Sequence, residues 1–399
     1  MDNDLAELQK KHGQVFFSFV VQAFEYVFCR TNLLNIAGKE SEKNIPRNIN
    51  VTVQKKFEKD GHAGMHIGEI ESMGVNRARQ ISSLPGNHFT PESFEKIARQ
   101  IAKELRLKIT VIKGDVLKRE NLNGIYSVSK GSDEPGRLIC LEYKGGKSKK
   151  DKTLCLVGKG LTFDAGGISL KPALDMHEMK YDMSGGAAVL YALEAIARLK
   201  INLNVNCIIA SAENLPSGRA IKPGDVYTSH KGLNVEVQNC DAEGRLILAD
   251  ALSWASRFKP DYVVDIATLT GAIVICLGEA ASGLMGNSAE FINLVKEVSE
   301  VSMEPVWELP LWEEFAEPLK SNIADVKNVA GNRSAGSIMA GKFLEKFIPK
   351  DSQWVHLDIA GTAWVKGDRG MYANGPTGAG VRLFTALARK IAGMKINIS

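Results

Sequence analysis

The sequence predicts an α/β fold, a mostly parallel mixed sheet with helices on both faces, preceded by a short N-terminal helical segment. Three observations predict it. From residue 108 onward, short apolar runs alternate with segments of helical period, the order that builds parallel sheets through helical crossovers. Residues 261–267 read as a buried strand, as expected where helices cover both faces. Finally, two carboxylates, Asp241 and Glu243, fall where a strand-like run gives way to a helix, which is where ligands collect in open α/β sheets.

In chain order, residues 15–29 place Phe17, Val20, Val21, Phe24, Val27 and Phe28 at helical spacing, with Ser18, Gln22 and Glu25 on another face. This predicts an amphipathic helix packed on the body by its apolar side. Residues 30–60 are polar and weakly periodic, and read as loop with room for an edge strand. A helix is expected over 68–83. Thr90-Pro91-Glu92 starts another, which carries Phe94, Ile97, Ile101 and Leu105. Strands are expected at 108–112, 137–143 and 153–157. The Gly145-to-Ser148 stretch G-G-K-S is not a phosphate loop, because Leu141 stands where the first glycine must be. A helix over 187–199 and a strand over 204–210 follow, then a loop rich in proline and glycine. Residues 235–237 end a strand, and Leu246, Ala249, Leu252 and Ala255 mark a helix face. Beyond the strand at 261–267, residues 274–277 read as another.

The 399 residues are long enough for a sizeable core and for two or three domains. Apolar content of 44% and charged content of 24% are those of a soluble globular protein. Fifty basic and 46 acidic residues leave a formal charge of +4, too balanced for nucleic acid to be the main partner. Six cysteines, Cys29, Cys140, Cys155, Cys207, Cys240 and Cys276, show no C-x-x-C spacing and read as reduced thiols in a cytoplasmic compartment. No stretch is long and apolar enough to span a bilayer, so no membrane partner is expected.

The chemistry concentrates in two stretches. Residues 239–246 read N-C-D-A-E-G-R-L, in which an extended chain would put Asp241, Glu243 and Arg245 on one face. Residues 156–186 offer Lys159, Asp164, Lys171 and Asp182 among glycines. If these converge, Asp164, Asp182, Asp241 and Glu243 bring four negative charges into one pocket. Buried like charges must neutralise or bind cations, and two divalent ions would balance four carboxylates. Of the histidines only His177 lies in either stretch, so the set is carboxylate-dominated and open to zinc, manganese or magnesium.

Together the two stretches resemble the leucyl aminopeptidase family, whose V-G-K-G-x-T-F-D-x-G-G-x-x-x-K-P, K-Y-D-M and N-T-D-A-E-G-R-L segments are matched at every ionisable position. The resemblance runs from about residue 82 to the end, with later matches in S-N-I-A-D-V-K-N from Ser321 and W-V-H-L-D-I-A-G-T-A-W from Trp354. It implies the fold of that family's catalytic domain and a two-metal exopeptidase. Asp164 and Glu243 would bridge the metals, Lys159 and Asp182 would complete the tighter site, and Asp241 the exchangeable one. A metal-activated water would attack the first peptide carbonyl. Lys171 would stabilise the oxyanion, Arg245 would anchor a bicarbonate ion that shuttles the proton, and Asp182 would also receive the substrate's α-amine. Met179, Thr268, Leu269, Gly271, Ala360 and Ala363 would line a pocket for a leucine- or methionine-sized residue.

Two departures stand out. Cys240 replaces the family's threonine beside Asp241, and most of the family's N-terminal domain is missing. Residues 1–75 read as a remnant of that domain and 76–399 as the catalytic domain. Peptides are the expected substrates, and the resemblance implies a homohexamer built on catalytic-domain trimers. Two other readings are a dipeptidase for small peptides such as cysteinylglycine, and a DNA-binding regulatory role, which the modest charge disfavours.

Overall fold

A computed structural model describes residues 2–27, 29, 31, 34, 51, 53–148, 151–332, 334–367 and 374–394, with the side chains of the first helix described from residue 13. Its strands are β1 (Lys108–Lys113), β2 (Arg137–Lys144), β3 (Thr153–Asp164), β4 (Asn204–Asn214), β5 (Val226–Thr228), β6 (Asn234–Glu236), β7 (Tyr262–Ala267), β8 (Ser282–Gly286), β9 (Val306–Glu308), β10 (Val326–Lys327), β11 (Gln353–Asp358), β12 (Trp364–Val365) and β13 (Gly375–Pro376). Its helices are α1 (Asp2–Val27), α2 (Glu58–Ser83), α3 (Pro91–Leu105), α4 (Asp115–Arg119), α5 (Asn123–Ser129), α6 (Ser184–Arg198), α7 (Gly244–Trp254), α8 (Gly271–Leu277), α9 (Ala289–Ser302), α10 (Gly336–Glu345) and α11 (Val381–Ile391).

Eight strands form the main sheet in the order β1-β2-β4-β3-β7-β11-β8-β9. The central strands β4, β3, β7 and β11 run parallel, while β1, β2 and β8 pair antiparallel with their inward neighbours. Alternation along β3 sends Leu154 and Leu156 to one face and Cys155 and Val157 to the other. The first face packs on α3, α6, α9 and α11, the second on α5, α7 and α10. The sequence-based fold class therefore holds. From β3 the chain crosses by α6 to β4 on one side, then returns by α7 to β7 on the other. The carboxyl end of β3 is thus a topological switch point, where a crevice opens between diverging connections. Among the described residues no helix is long and apolar enough to cross a membrane.

Four local expectations need correction. Residues 274–277 belong to α8, whose first turn is capped by the Thr270 hydroxyl accepting from Ile273 N at 3.3 Å. A short apolar run has no period that separates helix from strand, and the cap decides it. Strand β3 continues past Val157 to Asp164, with a register shift between Leu161 and Phe163. Gly158, just past the expected end, serves close packing: a Cβ there would lie 2.5 Å from the Gly185 carbonyl of α6. Helix α2 begins at Glu58, ten residues early, inside what read as loop. Most of residues 30–52 lie outside the described residues.

The fourth correction concerns α1, which packs on the body as expected but by a side that mixes the two expected faces, with Glu25 left exposed. Phe17, Ser18, Gln22 and Tyr26 are buried, whereas Phe24 is 42% and Val27 69% exposed. Phe28 lies outside the described residues. Glycines of α2 form the seam with α1. A Cβ on Gly64 of α2 would lie 2.2 Å from the Gln14 carbonyl, and one on Gly68 would lie 2.5 Å from that of Ser18. Where the backbones touch there is no room for a side chain at Gly64 or Gly68. Polar groups inside the seam are paired: Gln22 donates to Glu71 Oε2 at 2.7 Å and to Ser18 Oγ at 3.0 Å, and Tyr26 donates to Gln22 Oε1 at 3.3 Å.

Burial pushes the Glu71 carboxyl up to about 7, against the opposing pull of Arg389 and Arg382. Its folded pKa lies above the unfolded value, so its contribution to stability is complete at acid pH and is lost as pH rises through about 7. Glu71→Gln keeps an acceptor for Gln22 and removes the titration. Thermal melts from pH 5 to 8 should show the parent losing stability relative to this variant, by at most about 4 kcal/mol. Parallel curves for the two proteins would mean that Glu71 does not titrate in the fold.

Candidate functional site

The carboxyl ends of the central strands deliver the polar groups one by one. Lys159 lies in the last turn-ward part of β3 and Asp164 at its end, each 3% exposed. The chain then reverses through Gly166 and Gly167, at φ 86° and 61°. A Cβ on Gly166 would sit 2.6 Å from Ser169 O and 2.8 Å from Asp241 Oδ1, so a side chain is excluded there twice over. Closing this loop, Lys171 N donates to Ala165 O at 3.0 Å, which brings the Lys171 side chain back over the strand end. Asp182 follows a 3-10 turn, Met176–Tyr181, and immediately precedes α6. Asp241 and Glu243 lie between β6 and α7.

The structure brings all six ionisable residues together. Lys159 Nζ stands 2.7 Å from Asp182 Oδ2, 3.0 Å from Glu243 Oε1 and 3.0 Å from the Thr268 carbonyl. Lys171 Nζ stands 2.7 Å from Asp164 Oδ2 and 2.5 Å from Asp241 Oδ1. Each ammonium thus joins two carboxylates. Burial raises the carboxyls of Asp164, Asp182 and Asp241, and neighbouring acids add to it. At Glu243 burial is outweighed by Lys159 and Lys171, which lower it. Burial also opposes charge on both lysines, yet the surrounding acids win and hold them protonated well above their ordinary range.

Asp164, Asp241 and Glu243 each offer a carboxylate oxygen, and the three oxygens lie within 4.8 Å of one another. Three hard oxygen donors with net negative charge fit a divalent cation. Asp182 stands apart from this trio, on the Lys159 side. His177 is exposed.

The expectation that Asp241, Glu243 and Arg245 share one extended face is not met. Asp241 sits in a turn, Glu243 is already helical at φ −77° and ψ −31°, and Arg245 lies within α7. Helical geometry sends Arg245 inward, where it is 7% exposed and Nη1 donates to the Asn328 carbonyl at 2.7 Å. Its Nε is buried without a protein partner. Burial lowers the guanidinium to about 10, with Glu243 and Asp358 opposing.

The expected pocket residues are distributed around the same crevice. Thr268 and Leu269 follow β7, and Thr268 Oγ1 donates to Asp182 Oδ1 at 2.6 Å. Met179 is half-buried on the 3-10 turn, and around Gly271 at the start of α8 a Cβ would meet no atom within 4 Å. Ala360 is half-buried after β11, whereas Ala363 is 1% exposed and packed in the apolar core.

Three buried polar residues were missed. Asn214, at the end of β4, donates from Nδ2 to Asp164 Oδ1 at 2.8 Å and to the Cys240 carbonyl at 3.0 Å, tying the two motifs together. Asn328 holds the 238–242 turn from both sides, accepting from Gln238 N at 2.9 Å and donating to the Asn239 carbonyl at 2.7 Å. Asp358 closes β11 and is fully buried. Each stands at the end of a strand, the one positional signal that could have singled it out.

A sequence profile of the cytosol aminopeptidase family, catalytic domain, matches residues 76–385. A probable cytosol aminopeptidase of Aromatoleum aromaticum is 46% identical over 346 residues, covering 87% of this chain and 68% of its own length. One from Geobacter sulfurreducens is 50% identical over 309 residues, 77% and 62% of the two chains. One from Chlorobaculum tepidum is 42% identical over 399 residues, 97% and 78%. The chain therefore spans between 62% and 78% of the length of these relatives. Among solved structures, the bottromycin maturation enzyme BotP matches with a TM-score of 0.79 at 36% identity, over 84% of this chain and 72% of its own. Its complex with Mn matches with the same score and identity, over 83% and 73%.

Gly244 offers a direct perturbation of the centre. A Cβ there would lie 2.7 Å from Lys159 Cε and 2.9 Å from Leu269 Cδ1, the flexible ends of two side chains. Gly244→Ala should therefore leave the backbone and melting temperature nearly intact while displacing Lys159 from Asp182 and Glu243. Calorimetric titration with Mn2+ should read weaker binding than in the parent. Unchanged Mn2+ affinity would show that the position of Lys159 does not matter to cation binding.

Proposed function

The chain belongs to the cytosol aminopeptidase family, a family of metallo-exopeptidases, and from that premise we propose that it is a two-metal aminopeptidase releasing the amino-terminal residue of peptides, preferably one of leucine or methionine size. The observation that carries the reading is the convergence of Asp164, Asp182, Asp241 and Glu243 with Lys159 and Lys171 at the switch point of the sheet. In this reading Asp164, Glu243, Lys159, Asp182 and Asp241 would hold two divalent ions, with Lys159 and Asp182 at the tighter site and Asp241 at the exchangeable one. Zinc, manganese and magnesium all suit carboxylate oxygens, and the Mn complex of BotP favours manganese. Such ions supply Lewis acidity, activating a water and polarising the peptide carbonyl.

The protein's own groups do the rest. Asp182, oriented by the Thr268 hydroxyl, receives the substrate's α-ammonium, which confines cleavage to the first residue. Lys171 is partly exposed at the mouth of the crevice and supplies positive charge where the carbonyl oxygen becomes anionic. Arg245 would hold a bicarbonate ion that serves the proton transfer, and its buried Nε without a protein partner supports this, since a guanidinium edge matches a planar anion. Met179, Thr268, Leu269, Gly271 and Ala360 border the first residue's pocket, with Ala363 packed beneath. Residues 1–75 serve as an N-terminal extension to the catalytic portion, 76–399, the join falling inside the continuous helix α2. A cytoplasmic homohexamer is the assembly we propose, and analytical ultracentrifugation reads it.

Turnover of aminoacyl amides beside their N-acetylated forms, with metal analysis, tests the reading. Cleavage should require the free amine and stop with chelator. Asp164→Asn and Glu243→Gln should each lose most activity and at least one metal; near-normal turnover with two metals in either variant would falsify the bridging roles. Lys171→Ala and Arg245→Ala should keep both metals and lose about 10²- to 10³-fold in kcat. Added bicarbonate should stimulate the parent more than the Arg245 variant, and equal stimulation removes Arg245 from the anion site.

Lys159 separates two kinds of pH dependence. An ammonium has no lone pair, so cation binding at Lys159 must expel its proton and weaken as pH falls. Lys159→Met should bind the tighter ion less well and show a shallower pH dependence between about pH 6 and 8, where lysine protons rather than carboxylate protons compete. The same affinity and the same slope in both proteins would place Lys159 outside the ligand set.

A further inference from the structure

Thr268 carries two duties at once, since its carbonyl accepts from Lys159 Nζ at 3.0 Å and its hydroxyl donates to Asp182 Oδ1 at 2.6 Å. Both contacts depend on where the 268–270 turn sits, and Asp358 holds that turn from beneath. Asp358, the last residue of β11, lies beside Ala267 in the parallel register. Its Oδ1 accepts from Leu269 N at 3.1 Å, Ala360 N at 3.2 Å and Thr270 N at 3.4 Å. Its Oδ2 accepts from Thr270 Oγ1 at 2.6 Å. Thr270 Oγ1 has one proton and gives it to Asp358, so the 2.7 Å contact with Ser337 Oγ has Ser337 as donor. Ser337 lies in the first turn of α10, so three elements, β11, α8 and α10, meet on this one hydroxyl.

We infer that Asp358 and Thr270 are positioning residues that fix the 268–270 turn so that Thr268 presents Lys159 and Asp182 in register with the substrate's amine. Neither touches the reacting atoms. Asp358 is fully buried and its carboxylate accepts from Leu269, Thr270 and Ala360, an arrangement that sets the geometry of the turn. The inference rests on the aminopeptidase reading for Asp182 as the amine's receptor. It predicts which kinetic constant moves. Weakened amine recognition is lost ground-state binding, so the effect falls on KM rather than kcat.

Thr270→Val keeps the shape of the side chain and removes the hydroxyl, while Thr270→Ser restores it. For leucinamide, Thr270→Val should raise KM on the order of tenfold, the usual scale for losing one hydrogen bond to a charged group, and leave kcat within about twofold. Mn2+ titration by calorimetry should show weaker binding in Thr270→Val than in the parent, because Lys159 loses its fixed carbonyl partner. Thr270→Ser should recover both constants. Asp358→Asn, which retains an acceptor for Leu269 and Ala360, should fall between the parent and Asp358→Ala. The inference is overturned if Thr270→Val matches the parent in KM and Mn2+ affinity, if kcat carries the loss, or if Thr270→Ser is as impaired as Thr270→Val. The Mn2+ arm needs no turnover, so a protein without peptidase activity would overturn the aminopeptidase reading and still report on the brace.

Discussion

Three buried carboxylates, Asp164, Asp182 and Glu243, gathered with the partly exposed Asp241 are the constraint that the rest of this molecule answers to. Isolated charges of that kind are costly to bury, and the fold offsets them with two ammonium groups, each set between two acids. Two positive charges against four negative ones leave an excess, which is what gives the centre its appetite for divalent cations. The arrangement of the chain follows from it. Lys159 must reach from inside β3, Lys171 must fold back over the same strand, and Gly166 must permit the reversal at positive φ.

The chemistry was legible because it is incongruous. Lysine and aspartate among glycines and apolar residues have few structural reasons to be there, so the two motifs stood out and the structure joins them. The supporting groups are illegible for the converse reason. Asn214, Asn328 and Asp358 each look like ordinary polar residues near a turn, and only the tertiary fold reveals that they are buried and fully committed. The same limit applies to α8, where a run of four apolar residues carries no usable period and a threonine cap makes the decision.

Glycine accounts for the remaining differences between expectation and fold. Read locally, Gly158 and Gly160 end a strand, and Gly61, Gly64 and Gly68 weaken a helix. In three dimensions Gly158, Gly64 and Gly68 mark surfaces where one backbone lies directly on another, β3 against α6 and α2 against α1. Such contacts are invisible to a hydrophobic pattern because the glycine brings no side chain to them. On the α1 side Ser18 and Gln22 are buried beside Phe17 and Tyr26, while Phe24 stays outside.

The position of the 268–270 turn has a consequence for the order in which the molecule can become competent. Every carboxylate and lysine of the centre lies between residues 159 and 243, but the turn that sets Lys159 and Asp182 is pinned by a strand that begins at Gln353. During synthesis the ligands emerge well before their brace, and the contact between Thr270 and Asp358 spans 88 residues counted from Thr270. Long-range pairings of this kind form late, because the loop they close must be ordered first. A nascent chain would therefore carry a complete set of cation donors without the geometry to use them. Maturation of the centre would coincide with insertion of β11 into the sheet, which makes completion of the fold the licence for hydrolysis.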